Sequence, residues 1–264
     1  DVSFHTAIGN DAEASSILTS LQSNDIDIEN IIQVEDRSTL TKIRFFASRE
    51  SLLDQRQILL QADRGPKETL DEAVSKSLTD SALTNIPDSC ALVISDYDKG
   101  VVTTEGAQSL IEKAKVSGIP AIVDPKLTGL EKSRGATVVI FEKRGMALLA
   151  RRMGLDDQEA ANQLLDEYSW QGILVLGGIH GMYLHQKDHD SSFMPCMAPS
   201  AEQQIGMHDA AATSLAAALG SGLSLYDAAL LASAACDCVL SASSGQDYID
   251  RATLGLWLDE LSWQ

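Results

Sequence analysis

The chain has 264 residues, 44% of them hydrophobic, enough for one large α/β domain with a real core. Its 20 Lys and Arg stand against 38 Asp and Glu, a formal charge of -18 that argues against a nucleic-acid surface, because phosphate backbones need clustered cations. The same charge means that a phosphorylated ligand needs a local positive site. Cys90, Cys196, Cys236 and Cys238 show no framework spacing and read as reduced thiols of a cytoplasmic chain. The apolar runs fall short of the ~20 residues that cross a bilayer, so no membrane segment is expected. The chain opens on Asp1-Val2-Ser3-Phe4 without a charged-then-apolar leader, which reads as entry into a continuing domain.

In chain order, residues 2–8 predict a strand, and residues 11–23 a helix that Asn10 or Asp11 can cap. Residues 39–47 and 57–62 alternate apolar and polar and predict two strands able to pair as a hairpin. Residues 69–79 predict a helix with an acidic start. Residues 91–95 (ALVIS) predict a buried strand, 103–117 a helix closed by Gly118, and 120–123 and 136–141 the next two strands. Helices are predicted over 145–153 and 156–167, a strand over 172–176, and a hairpin pairing 181–185 with 193–197. Helices over 209–219, 225–240 and 250–261 complete the chain. From residue 91 strand and helix alternate, which predicts an α/β fold with a mostly parallel sheet covered on both faces. The hairpin near 39–62 breaks that alternation and predicts a small accessory sheet.

In such a sheet ligands bind beyond the carboxyl ends of the strands. Asp96-Tyr97-Asp98-Lys99-Gly100 follows one predicted strand, and Asp124-Pro125-Lys126 follows the next. Their charges suit phosphate or sugar contacts, and they equally suit helix capping and turn chemistry. A third cluster, Gly206-Met207-His208-Asp209, leads into a helix of small residues. Amides at a helix start attract anions, and a carboxylate there can accept a proton from an attacking hydroxyl. Asp209 can also be read as an N-cap alone.

Together these clusters resemble the ribokinase/PfkB family, and within it the heptose-7-phosphate kinases. The carriers are Leu40-Thr41-Lys42-Ile43-Arg44, Ser95-Asp96-Tyr97-Asp98-Lys99-Gly100, Val123-Asp124-Pro125-Lys126 and Arg134-Gly135-Ala136-Thr137, in that order. The resemblance implies a three-layer ribokinase-like sandwich with a mostly parallel central sheet. It implies one domain over residues 1–264, with lid strands about 38–62 inserted. Lids of this kind pair between subunits, which implies a homodimer by analogy. ATP and Mg²⁺ are implied as cofactors and a phosphosugar as acceptor. Asp209 falls on the family's catalytic base, and Gly206 on the first glycine of its G-A-G-D anion hole. Lys42 and Arg44 fall on the lid side facing the substrate, and Asp96 and Lys99 border the sugar pocket. Lys126, Gly181 and Ser233 fall on the nucleotide side.

The chain also departs from the family. The family's first strand and its sugar-binding G-G-A-A-N segment have no counterpart in these residues. G-A-G-D reads Gly206-Met207-His208-Asp209, with His208 at a tight glycine position. N-x-x-E reads Glu142-Lys143-Arg144-Gly145. Leu176 replaces a nucleotide-site Thr, Gly178 and Ile179 replace a Ser-Glu pair, and Gln61 stands where an Arg is usual in the lid. Ser233 replaces an adenine-side Asn, and Asp237 a packed glycine. Two functions are therefore expected: an ATP-dependent phosphosugar kinase of lipopolysaccharide-core precursor synthesis, or a catalytically degenerate pseudokinase binding or assembling on the same scaffold.

Weaker signals point to structure. His185 and His189 are four apart but fall in a predicted hairpin turn, where they share no face for zinc. Cys236 and Cys238 in a helix read as small buried packing, and Trp257 and Trp263 read as docking the last helix on the core. No P-loop sequence and no G-x-S-x-G occurs.

Overall fold

The computed structural model describes residues 1–47, 57–66, 68–199, 205–242 and 249–261. Its contacts separate into two compact units, Asp1–Asn85 with Asp98–Gly106, and Ile86–Tyr97 with Ala107–Gln264.

In the first unit β1 (Thr6–Ile8) pairs in parallel with β2 (Ile31–Gln33). The strand expected over 2–8 is shorter than its pattern, and Val2 and Phe4 are exposed. Between the two strands lies α1 (Ala12–Ser23), capped by Asp11. One Asp11 oxygen accepts from the Thr39 amide at 2.8 Å and the other from the Ala14 amide at 2.9 Å. Those bonds hold the carboxyl below its ordinary range. The expected hairpin is present as β3 (Thr41–Ala47) and β4 (Gln57–Arg64), with a bulge between Phe45 and Phe46. Lys42 pairs with Asp63 and Arg44 with Gln61, so these four share one face of the ribbon. Ile43, Phe45 and Leu60 share the other face and are 41%, 50% and 58% exposed. The unit closes with α2 (Glu72–Asn85), displaced toward the C-terminus from the predicted 69–79.

The second unit holds six strands in the order β10-β9-β8-β7-β6-β5. β5 (Leu92–Ser95), β6 (Ala121–Asp124), β7 (Val138–Glu142) and β8 (Gly172–Leu176) are parallel. β9 (Met182–Gln186) and β10 (Ser192–Met194) add an antiparallel edge through the predicted hairpin. The helices are α3 (Thr104–Ser117), α4 (Lys143–Met153), α5 (Asp157–Tyr168), α6 (Met207–Gly220), α7 (Leu225–Ser241) and α8 (Arg251–Leu261). On one sheet face Ile122, Val138, Ile140, Leu174 and Leu184 pack on Leu215 of α6 and on Ala229 and Ala232 of α7. Their small residues let both helices lie close to the strands. Pleating sends Val139, Phe141 and Ile173 to the opposite face, where Phe141 meets Trp170 with ring centroids 5.9 Å apart. β5 was expected to be buried. It is the terminal strand of these six, and Val93 is 43% exposed.

Arg134-Gly135-Ala136-Thr137 has an architectural role. Thr137 Oγ1 accepts from the Ala121 amide at 3.0 Å, and Gly135 N–H donates to the Tyr168 carbonyl at 2.8 Å. The buried Trp170 donates its indole N–H to the Ser133 carbonyl at 2.7 Å. Trp257 is half-buried on α8, whereas Trp263 lies outside the described residues.

Candidate functional site

The carboxyl ends of β5, β6 and β7 carry Asp96, Asp124, Lys126 and Glu142, at or just past the last residue of each strand. Asp96, just past β5, donates its amide to the carbonyl of Asp124, the last residue of β6, at 3.0 Å, which continues the ladder one residue beyond β5. Its side chain is buried, and Oδ2 accepts from Lys132 Nζ at 2.7 Å. Lys126 is exposed, with Nζ 5.0 Å above the Tyr97 ring. Such a cation–π contact leaves an ammonium free to face solvent or an anion.

Gly206 begins α6 at φ +94°, a left-handed conformation that glycine adopts without a Cβ penalty. Its carbonyl accepts from the Ala210 amide at 2.8 Å. Gly206 is therefore the N-cap, and the reading of Asp209 as the cap is incorrect. Asp209 is the third residue of the helix, exposed, in the turn where the macrodipole favours negative charge. His208 lies within the helix and not at positive φ, so its side chain sits there without left-handed strain.

His208 ties three element ends together. Nδ1 lies 3.0 Å from Oδ2 of Asp124, the last residue of β6. Nε2 lies 3.5 Å from Oε1 of Glu142, which ends β7 and caps α4. That second distance is an ionic approach and not a formed hydrogen bond, which leaves Nε2 buried without one. Burial disfavours the imidazolium. The Asp124 hydrogen bond and the charges of Asp124, Glu142 and Asp209 outweigh it, so the net shift raises the pKa above the ordinary histidine value. The start of α6 thus carries one proton-dependent cation among three carboxylates.

Gly181 precedes β9, whose Met182 pairs with Leu176 at the carboxyl end of β8. Its φ is +77°, and a Cβ would meet the Met194 carbonyl oxygen at 2.4 Å, so the backbone itself requires glycine there. Leu176 is buried in the core. Ser233 is buried on α7. Lys42, Arg44 and Lys99 belong to the first unit. Lys42 and Arg44 share a ribbon face, and the Lys99 carbonyl accepts from Arg37 at 2.8 Å. Among the described residues no group of three or more His, Cys, Asp or Glu side chains is placed to hold a metal ion.

Three placements were not anticipated: the partnership of Lys132 with Asp96, the grip of His208 on Asp124 and Glu142, and the contacts of Asp237. Asp237 carried a visible signal, as a lone charge inside the small, apolar helix run Ala234-Ala235-Cys236-Asp237-Cys238, and His208 and Glu142 carried one as departures from the family pattern, whereas Lys132 carried none.

The fold is that of ribokinase-like sugar kinases. It is similar to a fructokinase with bound ATP from Xylella fastidiosa, with TM-score 0.76 and 15% identity, over 99% of this chain and 86% of that one. It is also similar to phosphofructokinase-2 from Escherichia coli in complex with potassium, with TM-score 0.75 and 16% identity, over 97% of this chain and 81% of that one. Residues 1–251 match the model of the pfkB family carbohydrate kinases, and the chain belongs to that family. Among curated relatives, it is 32% identical to the Bifunctional protein HldE of Paramagnetospirillum magneticum, over 98% of this chain and 52% of that protein. It is 28% identical to the protein of the same name from Shewanella piezotolerans, over 96% and 51%. The chain spans about half the length of these relatives.

Proposed function

We propose that the chain is an ATP-dependent kinase that phosphorylates a hydroxyl of a phosphosugar of the heptose 7-phosphate type, in lipopolysaccharide-core precursor synthesis in the cytoplasm. The observation that carries this reading is Asp209, an exposed carboxylate in the first turn of a helix that starts at the left-handed Gly206. On this reading Asp209 takes the proton of the acceptor hydroxyl as that oxygen bonds to the transferred phosphorus and the bond to the leaving phosphate breaks. The first-turn amides of α6 face the phosphoryl oxygens, since such amides lack intrahelical acceptors. ATP supplies the phosphoryl group, and Mg²⁺ offsets its charge. Lys126, Gly181 and Ser233 serve the nucleotide. Lys42, Arg44, Asp96 and Lys99 serve the sugar phosphate. The exposed apolar face of Ile43, Phe45 and Leu60 supports a homodimer through the ribbon.

A second reading, a non-catalytic binding or assembly protein, is favoured by one observation. Asp124 and Glu142 bring two carboxylates to the α6 start, where a phosphate would have to sit. Asp209→Asn separates the two readings. Sugar-dependent ADP formation should fall by about 10²–10⁴ in this variant, the usual worth of a positioned general base. Wild-type protein that forms no ADP with any phosphosugar defeats the kinase reading and leaves the second.

A further inference from the structure

Asp237 lies inside α7, only 4% exposed, between the buried Cys236 and Cys238. Burying a carboxylate in such a helix is costly unless donors surround it. They come from the chain that leaves β10. Asp237 Oδ2 accepts from the Met197 amide at 3.1 Å, and the Cys196 thiol and the Ala198 amide also donate to this carboxylate. The neighbouring residue reaches the other end of the same connection. Cys236 Sγ donates to the carbonyl of Met207, the first residue of α6, at 3.4 Å. Two consecutive residues of α7 therefore hold the chain at residues 196–198 and at Met207, the residue that follows Gly206.

We propose that Asp237 and Cys236 are positioning residues for the start of α6: by holding residues 196–198 and Met207 they set the left-handed turn at Gly206 and the direction of Asp209. Neither side chain needs to touch a ligand. The inference rests on the reading of Asp209 as proton acceptor, and its structural half can be measured without turnover.

The test is hydrogen exchange by mass spectrometry on the full chain, with steady-state kinetics alongside, for wild type, Asp237→Ala, Asp237→Asn and Cys236→Ala. Asp237→Ala should speed exchange in peptides covering 195–199 and 205–209 by about tenfold or more, with peptides of α4 and α5 unchanged. Asp237→Asn keeps a side-chain oxygen for the Met197 amide and should return most of the protection. In phosphosugar phosphorylation Asp237→Ala should lower kcat about tenfold or more while KM for the sugar phosphate moves less than twofold, and Asp237→Asn should restore most of kcat. Should Asp237→Ala fail to fold, Cys236→Ala carries the test: losing its bond to the Met207 carbonyl, it should speed exchange in the peptides at 205–209 and leave those of α4 and α5 unchanged. Exchange that is unchanged there, or that rises equally in α4 and α5, overturns the proposal. A localised exchange response in a protein without turnover defeats the kinase reading and upholds the grip of α7 on the α6 start.

Discussion

Replacing Lys132 by Met tests how the end of β5 is held. Lys132 and Asp96 form an ion pair at 2.7 Å with side chains 13% and 3% exposed, so solvent screens it little. Lys132→Met keeps the side-chain length but removes the positive charge that faces a buried carboxylate. Breaking a buried pair from one side costs about 3–5 kcal/mol, because the remaining charge keeps its desolvation penalty. An unfolding entropy of about 2.1 cal/mol/K per residue gives roughly 0.55 kcal/mol/K for 264 residues, so Tm should fall by about 5–9 °C. Asp96→Asn combined with Lys132→Met should cost less than Lys132→Met alone, since the buried charge is gone. Thermal melts followed by circular dichroism at neutral pH, in 0.15 M and 0.5 M salt, measure both effects, and the loss should persist at the higher salt. A Tm change under about 2 °C, or a double variant whose loss equals the sum of the singles, would refute the reasoning.

The folded state raises the pKa of His208 above the ordinary 6.5, so its stabilisation is fully present below about that pH and is lost as pH rises through the folded value. The Tm difference between wild type and His208→Gln should therefore be larger at pH 6 than at pH 8.5, and a difference that is flat or grows with pH contradicts the ion-pair assignment. Burial and the Asp237 bond push the Cys196 thiol up to about 11, burial does the same to Cys238, and Cys236 is pushed up further. At pH 7.5 an alkylating reagent should modify the exposed Cys90 first, with the other three reacting only after denaturation. Mass spectrometry that finds Cys196 labelled as fast as Cys90 would remove the thiol from its place beside Asp237.

What the sequence determined by itself is the α/β alternation from residue 91 onward, the ribbon near 39–62 and the carboxylates and cations at strand ends, because each is written in short-range periodicity and local turn chemistry. The short β2 escaped because three residues carry no period, and α2 shifted because an acidic start does not fix a helix boundary. Only the tertiary structure decided which charges meet. Asp96 finds Lys132 across 36 residues, His208 finds Asp124 across 84, and Asp237 takes the Met197 amide across 40. Such pairings depend on sheet register and on where each helix crosses the strands, and no local pattern encodes that geometry.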